Sequence, residues 1–276
     1  MAAATPQQGQ ALFGATLLSG KTALLLGSTS GIALRAAEGM AGAGAARVIL
    51  NGRDPQAGAR ERARLQALYP DTEVLFLPGS YLDSVALDGI FTEVEDLAGG
   101  LDILVHTCGT GAADNASGPK PFVDTDPAYW LQATQGIFLS LLHSCRRAIP
   151  LMQRRGGGAI VDITSDAARL ATPGEAVLGG LLAANNMFLK GIALEHGRDR
   201  IRANVVTPSI TTDTRNYDIV MSGGFSKKLF EKAERRARLG VASATNVANT
   251  VVFLASPLAS HMTGQVISVN GGISVA

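Results

Sequence analysis

Two glycines carry the clearest chemical signal in this sequence. Gly27 and Gly31 stand between a short apolar run at residues 22–26 and a stretch of helical periodicity that begins near residue 31. Glycine permits a tight turn and a close approach of the backbone, and the N-terminus of the following helix offers unpaired N–H groups and a positive dipole to a pyrophosphate. The spacing therefore favours a dinucleotide-binding turn over a plain tight turn.

A second signal follows the next apolar run, residues 47–50. An acidic residue at this point would bind the ribose diol of NAD, whereas the chain has Arg53, whose guanidinium can pair with the 2′-phosphate of NADP. The sequence therefore predicts NADP in preference to NAD. The alternative is a solvated surface arginine that pairs with Asp54.

The elements that must position these residues alternate along the chain. Short, almost continuously apolar runs are typical of parallel strands covered on both faces. They occur at residues 22–26, 47–50, 74–77, 102–105, 159–163, 202–206 and 265–269. The longer stretches between them predict helices at about 31–44, 55–68, 84–98, 127–153, 176–197 and 244–255. We expect an α/β fold, a single-domain, Rossmann-like, doubly wound parallel sheet with helices on both faces.

Composition excludes several classes of partner. The formal net charge of +1 supplies no field that would gather nucleic acid or an anionic membrane, and we find no apolar run of the about eighteen residues that a membrane span needs. Two cysteines and four scattered histidines provide neither a disulfide framework nor zinc-type spacing. We expect no bound metal and a cytoplasmic location.

The chain divides into three parts. Residues 1–16 lack the features of a signal peptide and are expected to form a flexible tail. Residues 17–276 are expected to form the dinucleotide-binding domain. Within that domain, residues 211–239 break the alternation with a Ser-Gly-Gly step and a run of basic residues, which indicates a mobile lid.

Several motifs lie at the ends of the predicted strands. A Gly-x-x-x-Gly turn follows the first strand, residues 160–165 read Ile-Val-Asp-Ile-Thr-Ser, residues 207–209 read Thr-Pro-Ser, and residues 263–272 end in Asn-Gly-Gly. Together they resemble the classical short-chain dehydrogenase/reductase superfamily from about Ser19 to the C-terminus. The resemblance implies a nicotinamide cofactor and a small-molecule substrate with a carbonyl or hydroxyl group.

The resemblance also implies which residues contact the cofactor. They come from the glycine turn, the second strand end, the loop after the fourth strand and the segment after the sixth. The set is Gly27, Thr29, Ser30, Gly31, Ile32, Arg53, Cys108, Gly109, Pro208 and Thr212. The chain departs from the family in the loop after the fourth strand, where residues 106–109 read His-Thr-Cys-Gly instead of Asn-Asn-Ala-Gly.

The largest departure concerns the catalytic pair of the family. The resemblance places a tyrosine about thirteen residues after Ser165 and a lysine one helical turn later, but these positions are Leu178 and Leu182. No tyrosine occurs between Ser165 and Arg202. Leucine cannot exchange a proton, and the loss of proton transfer typically costs about 10²- to 10⁴-fold in rate. We therefore expect ketone reduction by the usual family mechanism to be severely slowed.

Three other residues are candidates for catalysis. Ser165 can hydrogen-bond a substrate oxygen, or alternatively satisfies the backbone near the strand end. Asp166 becomes a general acid or base if it is buried, and is otherwise a solvated turn residue. Tyr217, in the 211–239 segment, is either a surrogate phenol or a residue that packs the lid.

The helix predicted at 176–197 is apolar almost all round, and the corresponding helix of the family packs against another subunit, which implies a homodimer or homotetramer.

Three functions stay open. The first is an NADP-dependent enzyme acting on a small carbonyl or hydroxyl compound through a non-standard proton donor. The second is a non-redox lyase, dehydratase or isomerase that uses the same pocket, for which His106 is a further candidate. The third is a catalytically inactive pseudo-enzyme subunit.

Overall fold

A seven-stranded parallel sheet forms the centre of the protein. The computed structural model describes residues 14–107, 119–222 and 224–275. Along the sheet the order is β3-β2-β1-β4-β5-β6-β9. These strands are β1 (Thr22–Leu25), β2 (Arg47–Gly52), β3 (Glu73–Pro78), β4 (Ile103–Thr107), β5 (Gly158–Ile163), β6 (Ile201–Pro208) and β9 (Val266–Val269). The predicted doubly wound sheet is confirmed. Two short strands, β7 (Thr211–Thr212) and β8 (Ala242–Ser243), pair with each other outside it.

Helices cover both faces of the sheet. They are α1 (Gly31–Gly42), α2 (Pro55–Leu68), α3 (Ser84–Ala98), α4 (Pro127–Ala133), α5 (Ser140–Arg154), α6 (Ala176–Glu195), α7 (Arg215–Met221), α8 (Gly224–Arg236) and α9 (Ala244–Ala255). The single helix predicted at 127–153 is in fact α4 and α5 joined by a π-helical segment, Thr134–Leu139. Apolar periodicity did not reveal this segment, because a short π-helical stretch of six residues interrupts the pattern of a long helix only locally.

Alternation along the strands builds two cores. In β1, Leu25 packs in the cluster that contains Met40 of α1 and Val251 of α9. Its neighbour Leu24 points to the opposite face and packs in the cluster that contains Phe91 of α3. Successive side chains of a strand point to opposite faces, so each central strand supplies both cores. This arrangement explains why the strands are almost continuously apolar.

Helix α6 is long and apolar enough to cross a membrane by length and composition, with 20 residues and a mean hydropathy of 1.4. Core helices of α/β proteins share these properties. In this fold one side of α6 packs against the sheet, where Leu189 is buried with β6 residues such as Val205. We therefore interpret α6 as a core helix.

The segment before β1 is held against the sheet by a glycine corner. Leu18 is buried, and its N–H donates to the carbonyl oxygen of Ala43 at 2.9 Å. Next to this bond Gly44 adopts a left-handed backbone with φ +81°, and a Cβ atom there would overlap the carbonyl oxygen of Ala15. The corner therefore requires glycine for two reasons, backbone conformation and space.

We predict that Gly44→Ala lowers the free energy of unfolding by more than Gly20→Ala. Both glycines have positive φ, which costs an L-residue about 1 to 2 kcal/mol. Gly20 is the matched control, because a Cβ there meets nothing within 4 Å. Urea denaturation of the two variants measures the difference. Equal losses would mean that the segment at Ala15 moves aside freely.

Candidate active site

A cleft of about 1510 Å³ opens where the carboxyl ends of the central strands meet the N-termini of helices. Its lining comes from the ends of β1, β4, β5 and β6, from the start of α1 and α6, and from α4, α7 and α8. In open α/β sheets ligands bind at this edge, next to the point where the strand order reverses. The topology has that reversal between β1 and β4.

The glycine turn forms one wall of the cleft. Gly27 has φ +67° and Gly31 has φ +60°, and a Cβ on Gly27 would lie 2.7 Å from the Thr107 hydroxyl oxygen. Helix α1 begins at Gly31, and the side chain of its N-cap residue Ser30 makes no capping hydrogen bond. The first N–H groups of α1 therefore lack a side-chain acceptor and border the cleft, which suits a pyrophosphate. Thr29, Ser30 and Ile32 line the cleft as well.

Asn51 holds this turn in place. Its Nδ2 donates to the carbonyl oxygens of Leu77 at 3.0 Å and Gly79 at 3.1 Å, and its Oδ1 accepts from the Gly27 N–H at 3.4 Å. Asn51 is fully buried. One amide thus ties the ends of β2 and β3 to the glycine turn. The sequence analysis did not single out Asn51, although a polar residue closing an apolar strand was a visible signal.

Arg53 lies at the mouth of the same wall. It is exposed and lines the cleft. The alternative partner Asp54 is the N-cap of α2 and accepts from the N–H groups of Gln56 at 2.9 Å and Ala57 at 3.1 Å. Among the described residues, no carboxylate lies within ion-pair distance of Arg53. The guanidinium is therefore available to an anion in the cleft.

Ser165 and Asp166 follow β5 directly and line the cleft. The Ser165 Oγ accepts from the Ala167 N–H at 3.3 Å, as the backbone alternative anticipated. Asp166 is buried. Its Oδ1 accepts from Ser268 Oγ at 2.7 Å, and its Oδ2 accepts from Asn270 Nδ2 at 2.5 Å and from Ser274 Oγ at 3.0 Å. Asp166 is thus an anchor for the segment after β9, and the catalytic role of both residues stays a prediction.

Tyr217 lies in α7, and its hydroxyl donates to Glu234 Oε1 of α8 at 2.9 Å. This hydrogen bond raises the pKa of Tyr217 above its usual value. A surrogate for the family's phenol needs the opposite change, a pKa lowered toward neutrality. The geometry favours the packing alternative, and the catalytic role stays a prediction.

The remaining predicted cofactor residues divide by position. Pro208 lines the cleft at the end of β6. Thr212 belongs to β7 and is not itself in the cleft lining, whereas the nearby Thr211 and Thr214 are. Cys108 and Gly109 lie outside the described residues. Most of the predicted N-terminal tail, residues 1–16, also lies outside the described residues. The mobile lid predicted at residues 211–239 stays a prediction.

Apolar side chains occupy the floor of the cleft at the start of α6. Leu182 is fully buried with Ala133 and Ile137, and Leu178 and Tyr129 pack against this cluster. Leu178 and Leu182 both line the cleft. Any ionisable group beside this floor has little water to stabilise its charged form.

Glu175 is such a group, and the sequence analysis missed it. It occupies the N-cap position of α6 without a side-chain capping hydrogen bond, three residues before Leu178, and lines the cleft. Burial raises the pKa of Glu175 to about 7, although a hydrogen bond with Thr172 acts in the opposite direction. The Tyr129 phenol is also half-buried, and burial and the Glu175 charge raise its pKa. The visible signal was an acidic residue immediately before the apolar helix.

A fully buried polar network lies beneath the cleft. His106 Nδ1 and Asp162 Oδ1 are 2.8 Å apart, and His106 Nε2 and Ser140 Oγ are 2.9 Å apart. Asn185 Nδ2 donates to the second Asp162 oxygen at 2.9 Å and to the Ile137 carbonyl oxygen, in the π-helical segment, at 3.2 Å. His106 is fully buried and is not part of the cleft wall. Both of its ring nitrogens already have partners inside the protein, so the geometry favours a structural role, and the suggestion that His106 serves a substrate stays a prediction.

The Glu175 pKa has a consequence for stability. The folded-state pKa of about 7 exceeds the ordinary value of 4.5, so the folded protein holds the proton more tightly than the unfolded chain does. The free energy of unfolding is therefore highest at low pH with respect to this group. It falls by up to about 3 kcal/mol as the pH rises from about 4.5 to about 7. We predict that Glu175→Gln removes this component from urea-unfolding curves measured across that range.

The control for this measurement is Glu93→Gln. Glu93 is an exposed glutamate on α3, and its removal leaves the environment of Glu175 unchanged. If Glu175→Gln and wild type kept the same pH dependence, the carboxyl of Glu175 would be ordinary.

Comparisons with known proteins cover almost the whole chain. A family model described as Enoyl-(Acyl carrier protein) reductase matches residues 27–274. The 3alpha-hydroxysteroid dehydrogenase of Mediterraneibacter gnavus is 27% identical over 257 residues, which is 92% of this chain and 97% of that protein. The 3-oxoacyl-acyl-carrier-protein reductase of Aquifex aeolicus is 31% identical over 260 residues, which is 93% of this chain and 98% of that protein.

Solved structures agree in fold. A 7 alpha-hydroxysteroid dehydrogenase complexed with NADH and 7-oxo glycochenodeoxycholic acid has a TM-score of 0.84 at 27% identity and covers 94% of this chain and 96% of that one. L-Sorbose reductase from Gluconobacter frateurii, complexed with NADPH and L-sorbose, has a TM-score of 0.83 at 28% identity and covers 94% and 98%. With the strand order, the glycine turn and the family match in agreement, this chain belongs to the short-chain dehydrogenase/reductase superfamily.

Proposed function

We propose that this protein is an NADP(H)-dependent oxidoreductase that acts on a small carbonyl or hydroxyl compound through a non-standard proton donor. One observation carries the proposal. The glycine turn with its free helix N-terminus, the available Arg53 guanidinium and the Ser165 hydroxyl all border one cleft. The two solved relatives described above were crystallised with nicotinamide cofactors and with a keto bile acid or a sugar, which supports this substrate class.

Different residues of the cleft would hold different parts of the cofactor. The backbone at Gly31 and Ile32 would hold the pyrophosphate, and Arg53 would pair with the 2′-phosphate. Pro208 lines the cleft at the end of β6 and would border the nicotinamide end. When bound, the reduced nicotinamide supplies a hydride.

Ser165 serves the substrate in this proposal. Its hydroxyl lies directly after β5, at the strand end that opens onto the cleft, and would donate a hydrogen bond to the carbonyl oxygen. The register counted from Ser165 makes Leu178 and Leu182 the successors of the family's tyrosine and lysine. The proton must then come from a group other than these two residues. The two leucines also exclude water from the floor of the cleft.

We further propose a homodimer or homotetramer in the cytoplasm. Support for the assembly comes from α6, which exposes Met187 by 68% and Leu194 by 85% on the side away from the sheet. Large apolar side chains on one exposed helix face are typical of interfaces between subunits. The alternative functions, a non-redox enzyme in the same cleft and an inactive subunit, both lack hydride transfer to a substrate.

We predict that Arg53→Ala weakens NADPH binding by about 10- to 100-fold and leaves NADH binding nearly unchanged, because it removes a charge-assisted hydrogen bond to the 2′-phosphate. Isothermal titration calorimetry with each nucleotide measures both effects. Arg60→Ala is the matched control, since Arg60 is exposed on α2, beside Glu61 and away from the cleft wall.

The same titrations separate the alternatives. Equal weakening of both nucleotides by Arg53→Ala would refute the NADP assignment. A wild-type protein that binds neither nucleotide would refute the proposed oxidoreductase, and substrate conversion without nucleotide would favour the non-redox alternative. Nucleotide binding without any turnover would favour the inactive subunit.

A further inference from the structure

We propose that Glu175 is the residue that exchanges the proton with the substrate oxygen, in the place where the family uses a phenol. This inference rests on the proposed function. Glu175 stands at the N-terminus of α6, one helical turn before Leu178, and lines the cleft together with Ser165. The carboxyl group is therefore presented at the same helix start from which the family's tyrosine would act.

The surroundings of Glu175 suit an acid that works near neutral pH. Leu178, Leu182 and Tyr129 belong to one apolar cluster, and Tyr129 is close enough for the Glu175 charge to raise its pKa. A phenol must have its pKa lowered from about 10 to exchange protons at neutrality, and a neighbouring ammonium does this. A carboxyl needs the opposite change, which apolar neighbours supply, and burial raises the pKa of Glu175 to about 7. Two leucines beside a glutamate are thus a consistent replacement for a tyrosine and a lysine.

Other acids of the cleft are already engaged. Asp166 accepts hydrogen bonds from three side chains of the C-terminal segment. Asp126 caps α4 by accepting from the Ala128 N–H at 2.8 Å. Tyr217 donates to Glu234. In the described ranges no Lys, Arg or His pairs with Glu175. Its carboxyl keeps the hydrogen bond with Thr172 and is otherwise open to a substrate.

The reduction transfers one hydride and one proton to the carbonyl group. The carbonyl carbon gains a hydride from the reduced nicotinamide, the carbonyl electron pair moves to oxygen, and that oxygen takes the proton of Glu175. The carbonyl is reduced to a hydroxyl while the nicotinamide is oxidised. The Glu175 carboxylate then regains a proton from water. In the direction of alcohol oxidation the carboxylate accepts the hydroxyl proton instead.

A chemical test of Glu175 needs no substrate. Dicyclohexylcarbodiimide is an apolar reagent that reacts with protonated carboxyl groups, taking the proton on nitrogen and forming an O-acylurea that rearranges to a stable N-acylurea. We expect peptide mass spectrometry to find this adduct on Glu175, with a rate that falls as the pH rises through about 7 and with no adduct at this position in Glu175→Gln. Absence of the adduct from wild type, or a rate independent of pH, would overturn the proposal.

Several ionisable groups share the cleft and must be separated from Glu175 in this pH dependence. They are Tyr129 and Asp126 of the α4 region, Lys120, Asp166 beside β5, Lys232 and Arg236 of α8, Arg215 and Tyr217 of α7, and Arg53 and Tyr81. Asp126→Asn is the matched control, because asparagine also caps a helix. It should leave the labelling of Glu175 and its pH dependence unchanged.

Turnover tests the role itself. NADPH consumption is followed with L-sorbose and a 7-oxo bile acid as probes, and NADPH binding is measured separately by calorimetry. We expect Glu175→Gln to lower kcat by about 10²- to 10⁴-fold and to abolish the fall of kcat above neutral pH, with NADPH affinity unchanged. Glu175→Asp should retain part of the rate and its pH dependence, and Tyr129→Phe should behave like wild type.

The outcomes distinguish the two proposals. If wild type binds no NADPH or reduces neither probe, the proposed function fails and the role of Glu175 fails with it. If wild type turns over a probe and Glu175→Gln keeps its kcat and pH profile, the proposed function stands and the role of Glu175 is refuted. If Tyr129→Phe loses kcat and Glu175→Gln does not, the proton passes through the phenol.

Discussion

The buried network around Asp162 holds the frame of the active site. His106 of β4 and Asn185 of α6 each bond one oxygen of this carboxylate, and Ser140 of α5 completes the group. A polar group without water must keep its partners, because an unpaired one costs several kcal/mol. The network therefore fixes α6 against the sheet. The start of that helix, where Leu178 and Glu175 lie, is consequently held beside the end of β5.

Exclusion of water then decides what chemistry this frame can support. Leu182 is fully buried. A lysine ammonium at this place would lack solvent to stabilise its charge, and a phenol would then lack the cation that lowers its pKa. The same environment favours the neutral form of a carboxyl group. In the proposed register, in which Leu178 and Leu182 succeed the family's catalytic pair, burial next to this helix start also raises the pKa of Glu175.

Much of this architecture could be read from local patterns. Apolar runs located the strands of the central sheet, and the Gly27 and Gly31 spacing located the turn before α1, because glycine is needed where φ is positive. The long helix at 127–153 was predicted without its π-helical segment. That segment leaves the Ile137 carbonyl oxygen to accept from Asn185, a contact between residues far apart in the chain.

The sequence by itself determined the doubly wound sheet, the glycine turn and the absence of a tyrosine between Ser165 and Arg202, since each follows from residue type and short-range spacing. Only the tertiary structure decided how the acids differ. Asp166 accepts from donors about a hundred residues away in the chain, whereas burial raises the pKa of Glu175 to about 7. Burial and hydrogen bonding depend on which distant segments converge, and no local pattern records that convergence.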